Sequence, residues 1–296
     1  MTCVMVPLKE SNQRGKPRPA ILRALGHDEP PQTVQIVGET YRRLVIFKHD
    51  SMAATALYTG PDGRVICKFA RQQSAFIFPL AWLGRRIARH EARCLALLAD
   101  VPHVPRLMGN VCIDGKPQPH VIARQFIQGH PLAKHEQVDD DFFPKLENTL
   151  DTIHARKMAY VDLHKRENII VDEQGQPHLI DFQISFILPR SILGLPLRWL
   201  LRVYQLGDQH HLNKHIHRHR PDLLPPGTRD PQKAPPLIIS LWRMLVATPF
   251  RKVRRTLLVL IGVRKGSGHA VSEHMPEDAV QREMNRTSTT ATSDMA

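Results

Sequence analysis

The segment Tyr160-Val161-Asp162-Leu163-His164-Lys165-Arg166-Glu167-Asn168-Ile169-Ile170-Val171, with Leu179-Ile180-Asp181-Phe182-Gln183 close behind it, carries more structural information than any other part of the chain. A carboxylate on a polar loop is followed by an amide side chain at the mouth of a short β-rich run, Asn168 to Val171. The turn Asp172-Glu173-Gln174-Gly175 then leads into a second run, His178 to Phe182, that carries another carboxylate. A hairpin of this kind returns Asp181 to the end where Asp162 and Asn168 lie. Two carboxylates and an amide oxygen are hard oxygen donors, suited to Mg²⁺ shared with phosphate oxygens. A separate acid that receives a hydroxyl proton completes a layout for phosphoryl transfer.

Upstream, the runs Leu44 to Phe47 and Ala54 to Tyr58 read as strands. The turn Gly60-Pro61-Asp62-Gly63 breaks the chain before Arg64-Val65-Ile66-Cys67-Lys68-Phe69, a strand that carries Lys68. From about Leu83 to Ala99 the apolar residues recur at mostly three- and four-residue steps, which predicts a helix with Glu91 inside it. His103 to Leu107 and Val121 to Ile127 are two more candidate strands, the second ended by Gly129-His130-Pro131-Leu132. These elements predict a small first lobe, residues 34–129, made of an antiparallel sheet of about five strands and one helix. A second lobe, residues 130–263, is predicted to be mainly helical around the catalytic hairpin. Residues 1–33 read as a disordered basic, Pro-rich arm and 264–296 as a disordered Ser/Thr-rich tail.

The fold class is therefore α+β with two lobes, and the two motifs resemble those of the protein-kinase-like superfamily, H-R-D-L-x-x-x-N and D-F-G. The resemblance covers roughly residues 40–210 and implies ATP and Mg²⁺ as cofactors. It implies that Asp162 is the catalytic aspartate that orients or deprotonates an acceptor hydroxyl, and that Asn168 and Asp181 hold the metal. Lys68, in Val65-Ile66-Cys67-Lys68, matches the strand lysine that neutralises phosphate, and Glu91 the helix glutamate that pairs with it. Asp208 matches either the later aspartate that holds the catalytic loop or, equally, a helix-start cap.

Several features depart from that pattern. No GxGxxG precedes Lys68; the equivalent stretch is His49-Asp50-Ser51-Met52-Ala53-Ala54-Thr55-Ala56. There the small residues Ala53, Ala54 and Thr55 are the candidates for letting backbone N–H groups approach phosphate. Tyr160 stands where the loop histidine is expected, Asn168 follows Asp162 by six positions, and Gln183 replaces the glycine of D-F-G. No A-P-E follows. This character is similar to lipopolysaccharide-core and Kdo kinases and to RIO-like kinases, which implies an anionic sugar or lipid-linked acceptor, with protein Ser or Thr as the alternative.

The net charge of +13 suggests an anionic partner. Aromatics are only 6%, too few for the stacking platforms of a nucleic-acid binder, so no nucleic acid is expected. The four cysteines show no metal-ligand or paired spacing and read as reduced thiols. The N-terminus lacks the apolar core of a secretory signal, and no run reaches the roughly 18 apolar residues needed to span a bilayer. The expected location is the cytoplasm. The stretches Phe186 to Leu206 and Leu237 to Val263 are apolar with interspersed arginines, and the stripe Phe250, Val253, Leu257 and Leu260 either packs on the second lobe or docks peripherally on the anionic inner face of the membrane. The histidine-rich run Asp208 to Arg220 is predicted to be a solvated basic helix rather than a Zn²⁺ site. A catalytically inactive scaffold with this fold is the rival from another class.

Overall fold

The computed structural model describes residues 20, 23–74, 80–189 and 194–224. In the first lobe, β1 (Thr33–Ile36), β2 (Glu39–His49), β3 (Ala53–Gly60) and β4 (Gly63–Ala70) form an antiparallel meander, followed by α1 (Ala81–Leu97). Four short strands follow: β5 (Leu107–Gly109), β6 (Val111–Ile113), β7 (Lys116–Pro117) and β8 (Val121–Gln125). The sheet order is β5-β8-β4-β3-β2-β1-β6-β7. Strands β5 and β6 are consecutive in the chain yet stand near opposite ends of that order. Only a sheet that curls back on itself can satisfy both, and β6 does lie against β8. Gly109, at φ 110, makes the bend between them.

Alternation along the strands sorts side chains to two faces. Tyr41, Ala54, Ala56, Tyr58, Cys67, Phe69 and Ala123 fill the inside of the curl. Lys68 pairs in register with Thr55 on one side and Ile122 on the other, and Ile66 pairs with Arg124, so these residues share the outer face. The helix α1 packs on that face. Its backbone comes so close that a Cβ on Gly84 would sit 2.0 Å from the Arg71 carbonyl oxygen.

The second lobe begins with β9 (Gly129–Pro131) and continues with α2 (Phe142–Ala155), β10 (Met158–Ala159), β11 (Ile169–Asp172), β12 (Pro177–Leu179) and β13 (Phe186–Ile187). The long helix α3 (Gly194–His219) closes the described part. Strands β12, β11 and β9 form one small antiparallel sheet, and β10 pairs with β13. One apolar core joins the lobes: Leu95, Leu98 and Ile122 from the first pack with Phe142, Leu146, Ile153, Leu163, Phe182 and Leu212 of the second. A shared core holds the cleft between the lobes in place.

Expectations for the arm and the strands change in four places. The sheet has eight strands instead of about five, because β1, β6 and β7 extend the meander into the curl. The arm does not run to residue 33. Ala24 is fully buried, its N–H donates to the Asp50 carbonyl at 2.7 Å, and Arg23 reaches the His49 ring, so residues 23–33 belong to the first lobe. The predicted strand at 103–107 starts only at Leu107, since Pro102 and Pro105 have no N–H to donate and His103 sits at φ 63. Gly129-His130-Pro131 does not end a first-lobe strand but pairs with β11; a Cβ on Gly129 would lie 2.1 Å from the Val171 carbonyl oxygen.

The helix α3 is the largest departure. Asp208, Leu212, His215, Ile216 and His219 are buried along one face, so this stretch is not solvated. Their spacing is helical, but polar identity hides the stripe from a reading based on hydropathy. One nitrogen of each buried ring has a partner: His215 Nε2 donates to the Leu163 carbonyl at 2.8 Å, and His219 Nδ1 lies 3.1 Å from the Glu136 carbonyl oxygen, while His215 Nδ1 and His219 Nε2 are buried with none among the described residues. The predicted amphipathic segment 237–263 and the tail 264–296 lie outside the described residues.

Candidate active site

The site is assembled where β4, α1 and the hairpin β11–β12 face one another. Lys68 projects from β4, and its Nζ donates to Glu91 Oε1 at 2.8 Å and to Asp181 Oδ1 at 3.0 Å. Glu91 lies on the buried face of α1 and is 1% exposed, so the lysine is its route to charge compensation. Burial by itself would pull the Lys68 ammonium down, but Asp181 and Glu91 outweigh it and lift it above the ordinary lysine value. Burial likewise pushes the Asp181 carboxyl up, and Lys68 overrides that and holds it below the usual range. Both groups are charged near neutral pH.

Asp162 sits on the loop between β10 and β11, nearly buried. Its Oδ2 accepts from Asn168 Nδ2 at 3.0 Å and from Lys165 Nζ at 2.8 Å, and His164 Nδ1 lies 3.2 Å from Oδ1. Asn168 also donates from Nδ2 to the Asp162 carbonyl, which leaves its own side-chain oxygen for another ligand. The extra residue between Asp162 and Asn168 is absorbed by a 3-10 turn over Arg166–Asn168, so the longer spacing does not separate the two side chains.

The backbone around these carboxylates is held in uncommon conformations. Val161 has φ 74 and Asp181 φ 65, both in the left-handed region, at a cost on the order of 1–3 kcal/mol each. Asp208 of α3 secures the first: its Oδ2 accepts the Tyr160 N–H and its Oδ1 the Val161 N–H, each at 2.7 Å. His154 Nε2 lies 3.1 Å from the same carboxylate. Burial pushes the Asp208 carboxyl up while these bonds pull it back. Of the two readings of Asp208, the geometry selects the loop anchor over the cap. Tyr160, in place of the loop histidine, stands edge-on to Phe182 at 5.1 Å and donates its hydroxyl to the Ile180 carbonyl. It thus ties the Asp162 loop to the Asp181 segment.

Lys68, Glu91 and Asp181 are therefore brought into direct contact, and Asp162 and Asn168 form a second contacting pair. Thr55 shares the face of Lys68. Ala54 instead lies inside the curl, and the Ala53 N–H is taken by Asp50 Oδ1 at 2.8 Å, with the Met52 N–H on the same oxygen at 2.7 Å. That turn is tied down by a carboxylate rather than left open for phosphate.

Two cations had no signal in the motifs. Arg124, on β8 two residues beyond Ile122, is 2% exposed and acts electrostatically on both Lys68 and Asp181. Alternation along Val121-Ile122-Ala123-Arg124 places it on Lys68's face, but a charged residue in an apolar strand draws no attention without the pairing register. Lys165, half exposed, brings a further positive charge beside both carboxylates.

Among the described residues no group of three or more His, Cys, Asp or Glu side chains could cage a metal. The donor set of Asp181 and the Asn168 oxygen fits Mg²⁺ shared with phosphates, which takes one or two protein oxygens and leaves the rest to the nucleotide. Lys68, Lys165 and Arg124 fit the polyphosphate charge.

A strand lysine paired to a helix glutamate, an aspartate-bearing loop anchored from a long helix, and a second aspartate returned by a hairpin occur here in one cleft between two lobes. The fold is protein-kinase-like. No family model matches the chain, and no curated protein matches its sequence. Among solved structures the chain is similar to the kinase PK-1 of Cydia pomonella granulovirus, with TM-score 0.37 and 15% identity over 52% of this chain and 53% of that one. It is also similar to the Rio2 kinase of Chaetomium thermophilum, solved as an ADP/Mg²⁺-phosphoaspartate complex, with TM-score 0.42 and 15% identity over 79% and 69%. The chain thus spans about half the length of the granulovirus kinase. The kinase-like architecture stands on the chain's own geometry.

Proposed function

We propose that this protein transfers the γ-phosphoryl group of ATP, with Mg²⁺, to a hydroxyl acceptor. The observation that carries this reading is Lys68 bridging Glu91 and Asp181 across the cleft from the Asp162–Asn168 pair. Bound Mg·ATP supplies the transferable group and the metal's charge. Asp181 and the Asn168 oxygen would hold the metal, and Lys68, kept in place by Glu91, would meet the phosphate charge. Asp162 orients the acceptor hydroxyl and takes its proton. Lys165, bonded to Asp162, adds charge where it builds up in the transition state.

The acceptor we favour is a sugar hydroxyl on an anionic, lipid-linked molecule such as a lipopolysaccharide-core intermediate. His164 and Lys165, both about half exposed beside Asp162, support a negatively charged acceptor, as does the net charge of +13. Transfer to protein Ser or Thr is the alternative acceptor. An inactive scaffold is the rival from another class, favoured by the carboxylate-tied turn in place of a glycine-rich loop.

The test is Mg²⁺-dependent ATP turnover by the wild type and by Asp162→Ala and Asp181→Ala. Turnover lost in both folded variants supports the reading. Absence of both turnover and Mg·ATP binding in the wild type would move the protein to the scaffold class. Supplying carboxylated and phosphorylated sugars, neutral sugars and a Ser/Thr-rich protein then separates the acceptors.

A further inference from the structure

The helix α1 carries two opposed faces. At about 100° per residue, its buried residues Gly84, Ala88, Glu91, Cys94 and Leu95 cluster on one side. Trp82, Arg86, Arg89, Arg93 and Leu97 fall within an arc of about 80° on the other side, nearly opposite Glu91. All five are exposed, Trp82 at 55%. They form a stripe about 22 Å long, basic in the middle and apolar at each end. No carboxylate lies on it, because the only acid of α1 is Glu91, which is spent on Lys68. None of the three arginines is ion-paired with a described residue.

The stripe continues towards the mouth of the cleft. His90, at its edge, lies 2.7 Å from the Ser185 carbonyl oxygen and so holds the segment after Asp181 against α1. Ile184, beside it, is 55% exposed, and Phe186 packs on Tyr204 of α3 at 5.6 Å. The first turns of α3 expose Leu195 and Trp199 together with Arg198 and Arg202. Trp82, Leu97, Ile184, Leu195 and Trp199 are five of the eight large apolar side chains left exposed among the described residues. A phosphate backbone or an acidic peptide has use for the arginines but not for this apolar set. An anionic bilayer takes both: arginines at the lipid phosphates, Trp and aliphatic groups at headgroup depth.

We infer that the outer face of α1, with Ile184 and the start of α3, is the surface by which this protein lies on an anionic bilayer. The contact sets the cleft mouth beside the lipid, where a lipid-linked hydroxyl would be presented. The surface does not depend on phosphoryl transfer for its existence, and binding reads it out separately from turnover.

The experiment is flotation of the full chain with neutral phosphatidylcholine vesicles, and with vesicles containing about a third phosphatidylglycerol, at low and high salt. The variants are Arg86→Glu/Arg89→Glu/Arg93→Glu and Trp82→Ala/Trp199→Ala. Circular dichroism and basal Mg²⁺-dependent ATP turnover serve as checks that each remains folded. The expected result is salt-sensitive flotation with anionic vesicles only, reduced by about a hundredfold in partitioning by the charge reversals and clearly weakened by the tryptophan removal. Two results would overturn the inference: no flotation of the wild type, or undiminished flotation of the charge-reversed protein.

Discussion

Replacing Asp208 by Asn tests how the Asp162 loop is held. The carboxylate receives two N–H donors on two different oxygens, Val161 on Oδ1 and Tyr160 on Oδ2, both at 2.7 Å. An asparagine of the same shape offers one oxygen and turns an NH₂ towards the other donor. One hydrogen bond to a charged group is lost, about 1.5–3 kcal/mol, and a buried N–H is left unsatisfied, about 1–3 kcal/mol. The strain of Val161 at φ 74 is then no longer opposed. The expected destabilisation is about 3–5 kcal/mol, or a fall in Tm on the order of 10 °C. Asp162 is the next residue, so on the proposed function kcat should fall by tenfold or more while Mg·ATP binding, assigned there to Lys68 and Asp181, changes less. Urea unfolding, calorimetric nucleotide binding and turnover measure the three quantities. An Asp208→Asn protein within about 1 kcal/mol of the wild type, with kcat unchanged, would refute the anchoring argument.

Tyr160→Phe removes the hydroxyl that donates to the Ile180 carbonyl in a fully buried site and should cost about 1–3 kcal/mol by urea unfolding, with the ring packing on Phe182 kept. Arg124→Met takes away a buried cation that acts on both Lys68 and Asp181. The Asp181 carboxyl should rise, and Mg·ATP affinity by calorimetry should weaken by about tenfold, or about 1.4 kcal/mol, with Arg124→Lys intermediate. Stability should fall in mild acid. Burial lowers the His215 ring to about 4 and the His49 ring to about 4, so the unfolded chain binds protons more readily below pH 6.5. The loss is at most about 1.4 kcal/mol per pH unit for each ring, from 6.5 downward, levelling below about 4; a urea-unfolding series flat from pH 7 to 4.5 would contradict it. The lysine at the centre behaves oppositely. Its folded value is raised, so its contribution is full below the ordinary lysine value and disappears only as pH rises through the folded one.

The sequence alone determined the order Lys68, Glu91, Asp162, Asn168, Asp181 and the element that carries each, because these rest on local signals. Strand alternation, helical period, a turn of Asp172 to Gly175 and a pair of short motifs are all readable within windows of a dozen residues. Contacts between distant segments are not local. That β5 and β6, one residue apart, close a curl from opposite ends, and that Arg124 shares Lys68's face, depend on strand register. The reading of α3 failed for a related reason. Asp208, His215 and His219 count as hydrophilic by composition, yet each is buried with a polar atom bonded to a backbone group elsewhere. Likewise Ala53 and Ala54 looked like a substitute for glycine until the Asp50 carboxylate was seen to occupy the N–H groups of that turn. Side-chain identity specifies what chemistry a residue can perform. Whether it performs it depends on which unsatisfied donor, acceptor or charge the tertiary fold brings within about 3 Å of it, and that partner lies elsewhere in the chain.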